Sequence, residues 1–311
     1  SHSGSSEFTK GIYKKYRANI KDQEFFDASI YATKINTTGL VNLSFDFNSD
    51  NNISFNSLYV HTTVDELYEA GRDLNAYVFD QTPKETEAFV RDQNLKQTQL
   101  IINQLLGTHA LGEKNNLNWA IGFNMVDAGE PNRIRNEGNT INSNTFEFAG
   151  VSDMHQRKSF QKINDYELNG SIVDGISLLD EGANKLKFNL GANFRMKNRD
   201  FSSQAIGVRS RLIQVASLDN LDEALLNADL YNTRSLIVKP QLFPDVYSGS
   251  LFIFAGFANA EFQIRKLSGN VGLRYEQDEI DVSFDVANYI NPETYQSRIG
   301  NAKKSYSNLL P

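Results

Sequence analysis

The 311 residues carry 31 basic and 38 acidic side chains, for a net charge of −7, and the mean hydropathy is −0.45. That balance leaves no electrostatic footprint for DNA or RNA, and the absence of cysteine excludes disulfides, thiolate catalysis and cysteine metal sites. No apolar run approaches the roughly 20 residues of a membrane helix, which leaves open a membrane β-barrel, whose strands alternate lipid-facing and lumen-facing residues.

Residues 1–10, SHSGSSEFTK, lack the basic start and apolar stretch of a secretion signal. They are expected to be a flexible start or tag remnant, with 11–311 forming one domain. Residues 12–35 read as loop followed by strand. Over Leu40–Phe47 the alternation is clear: Val41, Leu43, Phe45 and Phe47 on one face, Asn42, Ser44 and Asp46 on the other. Asn48 to Asn52 turn the chain, and the return strand from Ile53 slips phase near Ser57, as at a β-bulge. A long polar connection covers 69–91. The next hairpin runs from Thr98 to Asp127, reversing through Gly112–Asn116, with Leu117, Trp119, Ile121, Phe123 and Met125 on one face of its second strand. A second long connection covers 128–161. The third hairpin pairs 163–179 with 186–197 through 180–184; Leu186, Phe188, Leu190, Ala192, Phe194 and Met196 alternate with Lys187, Asn189, Gly191, Asn193, Arg195 and Lys197. Within the longest connection, 198–251, Leu218, Leu221, Leu225 and Leu226 sit at helical intervals and predict a short helix over 218–231. The fourth hairpin pairs 254–265 with 271–275 through 266–270.

The four hairpins share one plan. Tight turns of about five residues lie at one end and loops of roughly 20 to 50 at the other, against an ordinary median of 4–6. Strands run near 12 residues, about twice the soluble average. The fold class expected is all-β: an antiparallel transmembrane β-barrel segment with short periplasmic turns and long extracellular loops. A soluble β-sandwich with one wet face is the other reading of the same alternation.

Several strings carry a family resemblance: NTTGLVNLSFDFNSDNNISFNSLYV (36–60), QTQLIINQLLGTHALGEKNNLNWAIGFN (97–124), DAGEPNR (127–133), FRMKNRDF (194–201), NVGLRYE (270–276) and YSNLLP (306–311). The chain resembles the barrel of TonB-dependent outer-membrane receptors, above all the large ones with a carboxypeptidase-regulatory-like domain ahead of the plug. The resemblance implies energised import through a 22-stranded barrel in the cell outer membrane. It also implies outer-membrane lipid around the wall, a TonB-type energising complex acting through a plug, a small ligand, glycan or peptide as cargo, and a surface lipoprotein as a further partner. No plug, motor-contacting box or terminal aromatic strand is legible, so the chain reads as a middle segment of such a receptor. A barrel subunit that transports nothing and a soluble β-rich binding protein are the other functions weighed.

No enzyme, cofactor or metal motif is legible. His2, His61, His109 and His155 are scattered without metal spacing; His109 reads as a polar residue at a hairpin end. Asp278, Glu279, Asp281 and Asp285 lack calcium-loop spacing and read as a solvated acidic loop. Binding residues concentrate on loops held by a rigid scaffold. The ligand-binding candidates are therefore Tyr68, Tyr77 and Phe79 in the first loop, Arg133 and Arg135 in the second, and Tyr231, Phe243 and Tyr247 in the third. The alternative for the aromatics is packing of the loops on one another.

Overall fold

The computed structural model describes residues 1–78, 87–148, 154–212, 214–231, 234–290 and 297–311. Its elements are β1 (His2–Arg17), β2 (Ile20–Asn48), β3 (Asn51–Ala70), β4 (Ala76–Val78), β5 (Ala88–Leu111), β6 (Asn115–Asn142), β7 (Thr145–Phe148), β8 (Gln156–Glu181), β9 (Asn184–Ser210), β10 (Val215–Ser217), α1 (Leu221–Leu225), β11 (Leu236–Pro240), β12 (Asp245–Ile264), β13 (Leu267–Ile290) and β14 (Ser297–Leu310). All the strands belong to one sheet, whose main path is the antiparallel meander β1-β2-β3-β5-β6-β8-β9-β12-β13-β14. Among the described residues β1 and β14 do not pair, so the sheet is open. Tight turns β2–β3, β5–β6, β8–β9 and β12–β13 fall at one end and every longer connection at the other, as a meander requires.

Cross-strand partners share a face, so the register sorts the sheet into two surfaces. One row of partners reads Phe45, Ile53, Gly107, Trp119, Ile172, Ala192, Gly256, Tyr275 and Leu309 from β2 to β14. A row on the opposite face reads Asn42, Asn56, Gln104, Gly122, Asn169, Arg195, Ile253, Asp278 and Tyr306. The first face is therefore apolar and the second polar, each across nine strands. Among the described residues no second layer covers the apolar face near the tight turns: Leu43 is 61 % exposed, Leu190 57 % and Val271 66 %, whereas Asn189 and Ala255 on the polar face are 7 % and 0 %. That asymmetry fits a curved sheet whose outer side is apolar. In each strand the apolar stretch adjoins the tight turn (Leu117–Met125, Leu186–Met196, Leu267–Tyr275) and then gives way on the same face to Asp127, Asn198 or Gln277.

The long strands run 20 to 29 residues from β2 to β13, about twice the expected length. They absorb most of the expected loops: residues 128–142 lengthen β6, 156–162 lengthen β8, 198–210 lengthen β9, and 245–251 lengthen β12. These extensions carry scattered apolar residues without a sustained alternation, so no apolar period announces them, yet backbone pairing continues because the neighbouring strand is already in place. For the same reason the opening is strand β1, hydrogen-bonded to β2 from His2↔Thr37 onward, and not a flexible start. The acidic group at 278–285 lies in β13, not in a loop, with Glu279 paired to Lys303 and Asp285 to Arg298. The turns need two or three residues, fewer than five. Pairing of β2 with β3 runs unbroken past Ser57, and its register shift lies beside the turn, between Asp46 and Asn48. The helix is only Leu221–Leu225. Four residues past its end Asp229 bonds β11, its carbonyl accepting from Val238 N at 2.8 Å and its N–H donating to Leu236 O at 3.1 Å.

A device the alternation alone does not show is an aromatic ring laid over a paired glycine. Gly107 faces Trp119, Gly170 faces Phe194, Gly191 faces Phe257 and Gly269 faces Phe262. In each a Cβ on the glycine would collide with the ring, so the missing side chain is what lets the aromatic lie flat. Trp119 is also pinned: its Nε1 donates to His109 Nε2 at 3.0 Å, and His109 Nδ1 lies 2.8 Å from Asn51 Oδ1. A Cβ at Gly170 would sit 2.5 Å from Phe194 Cε1 and 3.4 Å from Ala120 O. Gly170→Val is accordingly expected to cost about 1–3 kcal/mol through overpacking, read as a lowered urea midpoint with unchanged slope.

The buried clusters lie at the loop end. One holds Phe25, Ala28, Ala70, Ala76, Ala88 and Val90, with Tyr68 against it. The other holds Phe89, Phe146, Phe148, Leu218, Leu221 and Leu236, its rings edge-on at 5.5 Å (Phe89–Phe146) and 5.0 Å (Phe146–Phe148). Ala70 pairs with Val90 on the polar face, while Phe89, one residue along, points to the other. The loop segments thus fold onto both sides of the wall, and the first loop starts where Asp27 accepts hydrogen bonds from Gly71 N and Asp73 N at 2.8 and 2.9 Å.

Candidate functional site

Beyond the apolar stretch, the polar face at the loop end gathers charge. A row of partners there reads Ile30, Tyr68, Asp92, Arg135, Arg157 and Gly207, and the next reads Glu66, Asn94, Arg133, Ser159 and Ala205. Strand alternation places Arg133, Arg135 and Glu137 on this face two residues apart, after a register shift between Leu95 and Gln97 in the β5–β6 pairing. Arg133 grips the buried Asp92 with a two-pronged contact, Nε to Oδ1 at 3.0 Å and Nη2 to Oδ2 at 2.8 Å, while Arg135 Nη1 donates to the same Oδ2 at 2.8 Å. Arg135 Nε also donates to Glu137, and Arg157 Nη1 stands 3.9 Å from Glu137. At the far end Glu130 lies 3.5 Å from Arg133 and accepts from Asn94 at 2.9 Å.

Burial raises the Asp92 carboxyl, but hydrogen bonds and charge from Arg133 and Arg135 outweigh it and hold the group below the ordinary aspartate range. Burial works against the Arg135 guanidinium too, and Glu137 and Asp92 more than restore it. The Tyr68 phenol is pushed well above its usual value, first by burial and then by Tyr13, whose ring meets it edge-on at 5.6 Å. Burial lowers His155, and burial with the neighbouring Arg135 lowers Arg157. On the other face, Glu69 accepts from Arg72 and Arg91 at 2.8 Å each, and these bonds outweigh its burial and keep it ionised.

Of the eight candidates, Tyr68, Arg133 and Arg135 meet here, on strands β3 and β6 and not on loops. Tyr247 is likewise in a strand, β12, stacked on Phe201 at 5.0 Å, away from this cluster. Tyr77 lies in β4 opposite Glu24. Phe79 lies outside the described residues. Tyr231, between α1 and β11, is 84 % exposed, and Phe243 is exposed beneath the Arg298 guanidinium at 5.7 Å. Sequence reasoning missed Asp92, Glu137, His155 and Arg157. Arg-x-Arg-x-Glu at 133–137 was the available signal, since a period of two puts all three on one side of a strand.

The fold and this cluster define a class: a single, open antiparallel wall, apolar outside near its tight turns, with a charged patch on the inner side of its extensions. Among solved structures, the siderophore receptor PiuA from Acinetobacter baumannii is similar over 99 % of this chain, which spans 46 % of that chain, with a TM-score of 0.44 and 9 % identity. No protein-family model matches the sequence, and no curated protein matches it.

Proposed function

We propose that this chain is part of the barrel wall of an outer-membrane receptor of the TonB-dependent type, which captures a ligand at its outer end and imports it. The observation that carries the reading is the uncovered apolar stretch repeated beside the four tight turns β2–β3, β5–β6, β8–β9 and β12–β13. Its span in β6, β9 and β13 matches the roughly 9–11 residues that cross a hydrocarbon core in a tilted strand, and leaving so many large apolar side chains in water is what soluble proteins avoid. The polar face then lines a wet interior. From Met125 to the end of β6 at Asn142, the wall continues for roughly 55 Å along the strand at about 3.3 Å per residue, and this outer part carries the Asp92–Arg135 cluster where a ligand arrives. Import needs a plug and an energising complex in addition to this wall, and the free edges of β1 and β14 must be satisfied by one another or by further strands.

Nitroxide labels at Leu190 and at Asp200, on the same face but beyond the apolar stretch, test this in the full-length protein in phospholipid vesicles. Leu190 is expected to collide with oxygen and be shielded from a water-soluble nickel chelate, with Asp200 the reverse. Equal nickel access at both positions removes the membrane reading.

A further inference from the structure

Along the inner cluster, cations and carboxylates alternate, but compensation is uneven. Arg133 has Asp92 and Glu130, and Arg135 has Asp92 and Glu137. Arg157, next along the row, has among the described residues only the shared Glu137 at 3.9 Å and the Met154 carbonyl at 3.1 Å. Beside it His155, whose backbone carbonyl accepts from Glu137 N at 3.0 Å, is 4 % exposed with neither ring nitrogen hydrogen-bonded among the described residues. Native proteins rarely leave a buried polar group so. The Tyr68 hydroxyl, in the row of Asp92 and Arg135, is also buried without a partner among the described residues. The Arg157 side chain keeps 31 % exposure, so a solute can reach it.

We propose that Arg157 and His155 form a subsite for a carboxylate group of the ligand, with Arg135 supporting it electrostatically. A guanidinium fork suits the two oxygens of a carboxylate, and a neutral histidine can donate one further hydrogen bond. Glu137 at the back disfavours a phosphate dianion more than a carboxylate monoanion, because repulsion grows with the charge. The lowering of Arg157 by burial and by Arg135 is what a cation short of counter-charge shows. The inference rests on the import reading only in taking this face as the inner wall.

Calorimetric titration of the full-length protein with glucuronate, glucose and inorganic phosphate tests it. Glucuronate is expected to bind saturably and at least tenfold more tightly than glucose or phosphate, with a concurrent shift of the His155 ring signals in NMR. Arg157→Gln should weaken glucuronate at least tenfold, as loss of a charge-assisted pair does, and Arg157→Lys should restore only part of it. Glucuronate binding no tighter than glucose, an unmoved His155 signal, or full affinity in Arg157→Gln overturns the subsite; tighter phosphate overturns the carboxylate assignment. The two wild-type readouts decide the matter even if a variant fails to fold. The Leu190 label in the same preparation reports lipid contact separately, so loss of the import reading and loss of the subsite are distinguishable.

Discussion

Leu190→Arg is expected to cost about 2 kcal/mol, the low end of the penalty for arginine on the lipid face near the bilayer midplane, because Asp174 opposite it shares the face and can pair with the guanidinium. Leu190 lies mid-way along the Leu186–Met196 stretch, paired with Asp174 on β8 and Ala258 on β12, and is 57 % exposed. The magnitude separates two environments. On a water-facing sheet, a charge replacing a half-exposed leucine changes stability by about 0.5 kcal/mol or less, because the guanidinium stays hydrated. In hydrocarbon it must be dehydrated or drag water and headgroups inward. Ser171→Arg, on the opposite face between Ala120 and Asn193, is the matched control: facing a wet interior, it should shift the urea midpoint little. The measurement is reversible unfolding in phospholipid vesicles. A Leu190→Arg midpoint no lower than that of Ser171→Arg rejects lipid contact, whatever the fold looks like.

The alternation near each tight turn was legible because one face there is uniformly apolar, and period-two spacing needs only that contrast. So the four hairpins, the side on which the long connections fall, and the polar face could all be read from Leu40–Phe47, Leu117–Met125 and Leu186–Met196. The outer halves of the strands could not. In β6, residues 127–142 read DAGEPNRIRNEGNTIN after Val126, mostly polar and with a proline, which locally looks like loop. What keeps them extended is the pairing of Arg133 with Asn94 and Ser159, long-range contacts that a window of sequence does not contain. The candidate site suffered the same way. Tyr68, Arg133 and Arg135 were legible as residue types suited to binding, but Asp92 lies 41 residues before Arg133 and His155 has no spacing signal, so their convergence is a property of the register alone. Tyr77, Tyr231, Phe243 and Tyr247 were chosen by the same chemistry, and none of them is placed in this cluster; Phe79 lies outside the described residues.

Asp92→Asn should open the outer end of the wall. Asp92 is 8 % exposed and its two oxygens receive three guanidinium hydrogen bonds from Arg133 and Arg135. Removing its charge leaves two cations partly buried without their shared anion, a change worth about 3 kcal/mol, toward the low end for buried pairs because the Arg133 side chain stays a third exposed. The tight-turn half shares none of these contacts, so the loss is local: amide exchange should quicken in the outer halves of β5 and β6, around Val90 and Asn136, and stay slow around Ile102 and Phe123. Acid should imitate the substitution. The Asp92 and Glu69 carboxyls are both held below their unfolded values. Their contribution is therefore complete above the ordinary carboxylate range near pH 4 and disappears as pH falls through the lowered folded values. The wild-type outer strands should lose protection only below about pH 4, with Asp92→Asn already unprotected at pH 7 and its remaining acid dependence carried by Glu69 with Arg72 and Arg91. Uniform exchange along β5 in the variant contradicts a locally held outer site and makes the wall one cooperative unit.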